Sequence, residues 1–130
     1  MRRLVVARAN NRCEYCTLSQ EGQEATFHVD HVIPVSAGGQ TIPENLALAC
    51  VSCSLRKAAR QMIFDLESHD QVPIFNPRQD SWQKHFRWQG VRVIGLTAIR
   101  RATIDALDLN RELILSIREV EMLFQRHPPQ

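Results

Sequence analysis

Four cysteines, Cys13, Cys16, Cys50 and Cys53, form two Cys-x-x-Cys pairs, with residues 17–49 between them and an Asp30-His31 pair inside that interval. A two-residue gap lets one tight turn present two sulfurs to a single ion at about 2.3 Å, and two such turns complete a tetrahedron. Only Leu4-Val5-Val6-Ala7 separates Met1-Arg2-Arg3 from Arg8, too short for a secretory h-region of roughly 7–15 residues. The expected compartment is therefore the cytoplasm, where thiols stay reduced and a disulfide framework does not form. A thioredoxin-like redox site needs one pair in a βαβ context, and here there are two pairs without that pattern. The spacing thus predicts one structural zinc ion on all four sulfurs, closed to substrate. Metal binding of this kind contributes ~10–16 kcal/mol of folding free energy, so Cys50→Ser is expected to unfold this half of the chain.

Between and after the cysteine pairs stand His28-Val29-Asp30-His31-Val32-Ile33-Pro34, then Gly38-Gly39, Glu44-Asn45-Leu46 and Cys53-Ser54-Leu55-Arg56-Lys57. This order closely resembles the zinc-bound HNH endonucleases, also called ββα-metal or His-Me finger nucleases, over residues 1–61. Phe75-Asn76-Pro77-Arg78 through Trp82, and His85-Phe86-x-Trp88, look like an extension found on some small stand-alone bacterial members. The resemblance implies a division of labour. His31 would be the general base, a role suited to imidazole because it titrates near neutrality. Asp30 would bind one catalytic magnesium or manganese ion. Asn45 would fix the loop that orients His31, and Arg56, Lys57 and Arg60 would contact phosphates without reading sequence.

One position departs from the family pattern. The residue after the last cysteine is usually Asn or His and completes the catalytic metal site, whereas here it is Ser54, a weaker ligand. His28 lies two residues from Asp30, shares its face on a regular strand and could stand in; His85 is a remoter candidate. Ser54 reads equally well as the N-cap of the following helix. Adjacent strand residues point to opposite faces, so Asp30 and His31 serve one site only if the strand twists or ends there, which Pro34 and the Gly-Gly pair favour.

These side chains need a scaffold. The fold class expected is α+β: a zinc-stapled ββα-metal core over residues 1–64, and a C-terminal extension over 65–130, a β-hairpin and two helices packed on the core. At 44% hydrophobic but 6% aromatic residues, the interior must be mainly aliphatic. No apolar run approaches the ~20 residues of a membrane span. The sequence suggests a helix over Arg3–Ala9, a strand over Ala25–Pro34 and a mobile loop over Ser36–Gly39. It then suggests a turn at Pro43–Asn45, a strand over Leu46–Ala49 and a helix over Ser54–Ile63. Asp65–Ser81 reads as mostly loop, His85–Gln89 and Val91–Leu96 as a hairpin, and Thr97 as the cap of a helix to Leu107. Asn110 reads as the cap of a last helix to Arg126, whose Leu113, Ile117, Val120 and Phe124 should face the core.

The formal charge of +2 falls close to neutral once four thiolates hold a dication, so a nucleic-acid surface must come from local clustering. Arg78, Lys84, Arg87, Arg92, Arg100 and Arg101 provide it, with Asp80 the lone acid among them. The expected activity is hydrolysis of nucleic-acid phosphodiester bonds, DNA ahead of RNA, with no membrane partner. The rival is a non-catalytic zinc module that binds nucleic acid or protein through the same scaffold. A purely structural zinc domain ranks last, because it leaves Asp30-His31 unexplained.

Overall fold

The computed structural model describes residues 1–129. Helices and short antiparallel strand pairs form an α+β arrangement in two units, residues 1–61 with 76–80 and residues 62–75 with 81–130. No helix among the described residues is long and apolar enough to cross a membrane.

In the first unit, α1 (Arg2–Arg8) leads through the first cysteine pair to β1 (His28–His31), which pairs antiparallel with β2 (Leu46–Ala49); α2 (Val51–Lys57) follows almost at once. All four residues of β2 are buried, because both α1 and α2 pack against it and its Leu-Ala-Leu-Ala sequence carries nothing that needs water. β1 is shorter than the strand expected over Ala25–Pro34. The Phe27 N–H donates to Gln20 Oε1 at 2.7 Å and its carbonyl accepts from Arg2 at 2.8 Å, so side chains take the groups that would have extended the ladder. The helix expected over Ser54–Ile63 starts earlier and stops sooner. Cys50 caps it, its sulfur accepting from the Cys53 N–H, and Ala58 leaves it at φ +47°. Ser54 therefore lies inside α2 and is not its N-cap. The expected mobile loop at Ser36–Gly39 is a 3-10 turn over Val35–Ala37 that ends at Gly38.

The second unit opens with a hairpin where loop was expected: β3 (Met62–Phe64) pairs antiparallel with β4 (Gln71–Pro73). A division between residues 64 and 65 would cut this hairpin, and the units separate after residue 61 instead. Next come α3 (Trp82–His85), β5 (Phe86–Gln89) and β6 (Arg92–Gly95), the last two joined by a two-residue turn with Gly90 at φ +63°, a conformation that favours glycine. In α4 (Ala98–Leu107), Thr97 is the N-cap, its hydroxyl 3.4 Å from the Arg100 N–H. This helix packs on β3, β4 and β6, and Ile63, Phe75, Phe86, Val93, Ala102 and Leu107 are buried.

The last helix, α5 (Glu112–Leu123), overturns two expectations. Asn110 is not its cap: the side-chain amide brackets Val93, accepting from its N–H at 2.9 Å and donating to its carbonyl at 2.8 Å. Three of the four residues of the expected inward stripe face out, with Leu113 66%, Val120 50% and Phe124 61% exposed, while Ile117 is half-buried. Ile114, Arg118 and Glu121 are the buried residues instead. Arg118 lies over the Trp88 ring at 4.9 Å and donates to the Val91 carbonyl, and Glu121 pairs with Arg126. Charge partners and a ring face thus turn the helix where hydropathy alone would not.

Candidate functional site

The two cysteine turns are built alike. The Cys16 N–H points at Cys13 Sγ and the Cys53 N–H at Cys50 Sγ, each at 3.4 Å, so the backbone of each turn already supports negative charge on sulfur. All four sulfurs are buried and lie within 4.8 Å of one another, with Cys16 and Cys50 at 3.7 Å. A tetrahedron with metal–sulfur bonds near 2.3 Å has edges of about 3.8 Å, so one ion fits the cluster. Hydrogen bonding from Cys13 and the other two thiols pushes the Cys50 thiol far below its ordinary range, while Cys16 and Cys53 are pushed up. Four thiols sharing protons in one pocket are what a divalent cation would replace.

The first cysteine turn is tied to β2 by backbone and side chain together. The Glu14 N–H donates to the Leu48 carbonyl at 2.8 Å, and its carboxylate accepts from the Leu48 N–H at 2.8 Å while pairing with Arg78. Burial, and then the neighbouring Arg8 charge, lowers Arg78 to about 10. Arg8 itself donates to the Pro43 and Leu46 carbonyls at 2.9 and 2.7 Å. Tyr15, 1% exposed, sits close enough to Cys13, Asp30 and Cys53 that their charges add to burial in pushing its phenol up. Glu14, Tyr15 and Arg8 had no signal in the spacing that singled out the cysteines.

β1 presents the acid and the imidazoles. Its register is regular, with Asp30 opposite Ala47 and His31 opposite Leu46, so His28 and Asp30 share one face and His31 leaves from the other. On the first face, His28 Nδ1 lies 3.0 Å from the Ser54 hydroxyl in α2. On the second, His31 Nε2 lies 2.8 Å from Thr41 Oγ1. Asp30 and His31 are both partly exposed, and His31 is the last residue of the strand. Among the described residues, no second group of three His, Cys, Asp or Glu side chains converges as the cysteines do. Thr41 carried no signal in the sequence. His85 lies at the end of α3 in the second unit.

The loop after β1 is closed by one side chain. Asn45, 8% exposed, accepts from the Ile33 N–H at 2.9 Å and donates to the carbonyls of Ile33 and Gln40 at 3.0 and 2.9 Å. The two glycines serve different ends. Gly38 adopts φ +90°, whereas a Cβ on Gly39 would stand 1.8 Å from the Ile33 oxygen and 2.9 Å from Asn45 Nδ2.

The three basic residues of the second cysteine segment separate. Arg56 and Arg60 are exposed; Arg56 reaches back to the Ser52 hydroxyl at 3.2 Å and Arg60 to the Arg56 carbonyl. Lys57 is 2% exposed and its ammonium donates to the Val32 carbonyl at 3.1 Å, with the His31 carbonyl at 3.4 Å. The expected phosphate contact by Lys57 is therefore corrected: its ammonium braces the end of β1. Burial lowers its pKa, and the nearby Asp30 charge works against that shift.

Residues 13–60 match the family model described as HNH endonuclease, a segment that holds both cysteine pairs, β1, the Asn45 loop and α2 and spans well under half of the chain. No curated protein and no solved structure matches the chain.

Proposed function

We propose that this HNH-matching segment is the ββα-metal core of a nuclease that hydrolyses phosphodiester bonds, DNA in preference to RNA. The observation that carries the reading is the Asp30-His31 pair at the end of β1. It is framed by four convergent sulfurs on one side and by the Asn45-closed loop on the other, and both side chains are reachable from water. The cysteine cluster would hold zinc and act only through the fold.

The chemistry assigned to the chain is short. With a hydrogen on His31 Nε2 donated to Thr41 Oγ1, 2.8 Å away, Nδ1 keeps its lone pair for a proton of the attacking water. The resulting hydroxide adds to phosphorus, the bond to the leaving oxygen breaks, and that oxygen takes a proton from solvent. A magnesium or manganese ion held by Asp30, with His28 and Ser54 beside it, would neutralise phosphate charge and steady the leaving oxygen. For both side chains to serve one phosphate, it would have to lie at the end of β1, where His31 is the last residue of the strand. Arg56 in α2 and Arg60 just beyond its end would supply phosphate contacts that set register without reading bases.

The test is plasmid cleavage with and without magnesium or manganese. The parent should nick or cut only with the ion, and His31→Ala and Asp30→Ala should each lose cleavage while keeping their zinc and their circular-dichroism spectrum. Cleavage by His31→Ala at the parental rate would remove the assigned base. Binding without cleavage in any divalent ion would reduce the segment to a nucleic-acid-binding zinc module.

A further inference from the structure

Of the six basic residues clustered between Asn76 and Arg101, three are engaged within their own unit. Arg78 pairs with Glu14, Arg100 is buried over the rings of Phe75 and Phe86, and Arg101 pairs with Asp65 and Glu67. Lys84, Arg87 and Arg92 are exposed. No Asp or Glu occurs anywhere in residues 81–104, so nothing local in sequence neutralises them.

The β5–β6 register decides where two of these cations stand. Arg87 lies opposite Ile94 and Gln89 opposite Arg92, so Arg87, Gln89, Arg92 and Ile94 share one face, with the two guanidiniums on a diagonal about 7–8 Å apart at the backbone. The alternate residues Phe86, Trp88 and Val93 form the other face, which is covered. Phe86 meets Phe75 edge-on at 5.3 Å, Trp88 lies under Arg118 and against His127, and Val93 is 2% exposed. The core therefore takes one side of the ribbon and leaves a cationic side open. Lys84 is exposed in α3, which runs directly into β5.

We infer that the outward face of the β5–β6 hairpin, through Lys84, Arg87 and Arg92, is a second phosphate-binding surface that grips the backbone of double-stranded DNA. The inference rests on the proposed reading that nucleic acid is the substrate, and it assigns to the second unit a binding role separate from the chemistry of residues 13–60. A two-stranded ribbon is narrow enough to follow a groove edge, and long guanidinium side chains match phosphate oxygens in bidentate geometry. The contact carries no sequence information: Gln89 is the sole uncharged polar side chain on this face.

The experiment is the salt dependence of binding to a fluorescein-labelled 20-base-pair duplex, without added magnesium, in parallel with plasmid cleavage by the same preparations. Each phosphate contact contributes about 0.9 to the slope of log K against log salt. Lys84→Gln/Arg87→Gln/Arg92→Gln should therefore lower the slope by roughly two to three, with the fluorescence of Trp82 and Trp88 unchanged. Gln89→Lys, which adds a cation to the same face without touching the core, should raise the slope by about one. Arg3→Gln, an exposed cation on α1, should leave it unchanged. An unchanged slope in both hairpin variants, or an equal fall per charge in Arg3→Gln, overturns the inference. If that happens while the parent cleaves plasmid, the nuclease reading stands alone. If the slopes move as expected and the parent never cleaves, the binding surface stands and the catalytic reading fails.

Discussion

His28 Nδ1 and the Ser54 hydroxyl stand 3.0 Å apart, joining β1 to the first turns of α2 directly after the last cysteine. The pair shares the Asp30 face of the strand, at the position where an HNH site is expected to complete its catalytic metal shell. His28→Ala should raise the manganese concentration needed for half-maximal cleavage by roughly ten- to a hundredfold, the usual range when a residue supporting a metal site is lost. Ser54→Asn should lower it. A metal titration of the cleavage rate reads both, and a parental midpoint in His28→Ala would exclude the imidazole from the site.

Removing an ion held by the four cysteines should unfold the first unit. Cys50 is both one of the four sulfurs and the cap of α2, accepting from the Cys53 N–H. Cys50→Ser, or a chelator strong enough to remove zinc, should cost most of the ~10–16 kcal/mol such centres provide. The expected readout is one zinc per parental chain by metal analysis, with loss of zinc and of far-ultraviolet ellipticity in the variant.

Asn45 satisfies three backbone groups from one buried amide, so Asn45→Ala leaves two carbonyls and one N–H without their partner. The expected loss is about 2–4 kcal/mol in urea unfolding, together with cleavage. Gly39→Ala should be at least as harmful, because its Cβ would enter the Ile33 carbonyl. A parental unfolding midpoint in either variant would show that the loop is not held in this way.

If His31 is the base, Thr41 would be its positioning residue. Thr41→Val keeps the shape and removes the hydroxyl that meets Nε2 at 2.8 Å; kcat should fall roughly ten- to a hundredfold with KM nearly unchanged. Thr41→Ser should restore most of the rate, and the pH–rate profile of Thr41→Val should shift. A change in KM alone would assign Thr41 to binding.

Asp65 makes the second unit sensitive to acid. Hydrogen bonding from Ser68 and the Arg101 guanidinium hold its carboxyl at about 2, below the ~3.9 of an unfolded chain. A carboxyl with a depressed folded pKa stabilises above its unfolded value and loses that contribution as pH falls through the folded one. The parent should therefore lose stability between pH 4 and pH 2, and Asp65→Asn, already weaker at neutral pH, should lose less across that window. Tryptophan fluorescence is the probe, because Trp82 and Trp88 both belong to this unit. Parallel pH curves for the two proteins would dissociate Asp65 from the effect.

Much of the arrangement was legible because it follows from local chemistry. Cysteine spacing anticipated the four-sulfur cluster, the Gln89-Gly90 step the hairpin, and Thr97 the start of α4. Two of the errors share one cause, side chains that satisfy distant backbone. Arg2 and Gln20 shorten β1 by occupying Phe27, and Asn110 looks like a cap but serves Val93. In α5, hydropathy ranked Arg118 and Glu121 as surface; the distant Trp88 ring and Val91 carbonyl make Arg118 interior, and Arg126 just past the helix pairs with Glu121. Residues 65–81 read as mostly loop, yet Pro73 sits at the end of a two-stranded hairpin opposite Met62, where a missing N–H is tolerated. At the candidate site, the types and order of residues pointed to Asp30, His31 and Asn45, while Thr41 and the burial of Lys57 depend on how the chain returns to them.

The Asn45 amide ties Ile33 to Gln40, so the stretch from Pro34 to Gly39 begins and ends on the same side chain. Whatever is spliced into the Val35–Ala37 turn, ahead of Gly38, is insulated from His31 and Thr41 by that knot. Loop entropy grows slowly, by only about 0.6 kcal/mol for each doubling of length. This turn is accordingly a natural port for grafted peptides, a place where a segment or label could be added while the Asn45 hydrogen bonds stay in place.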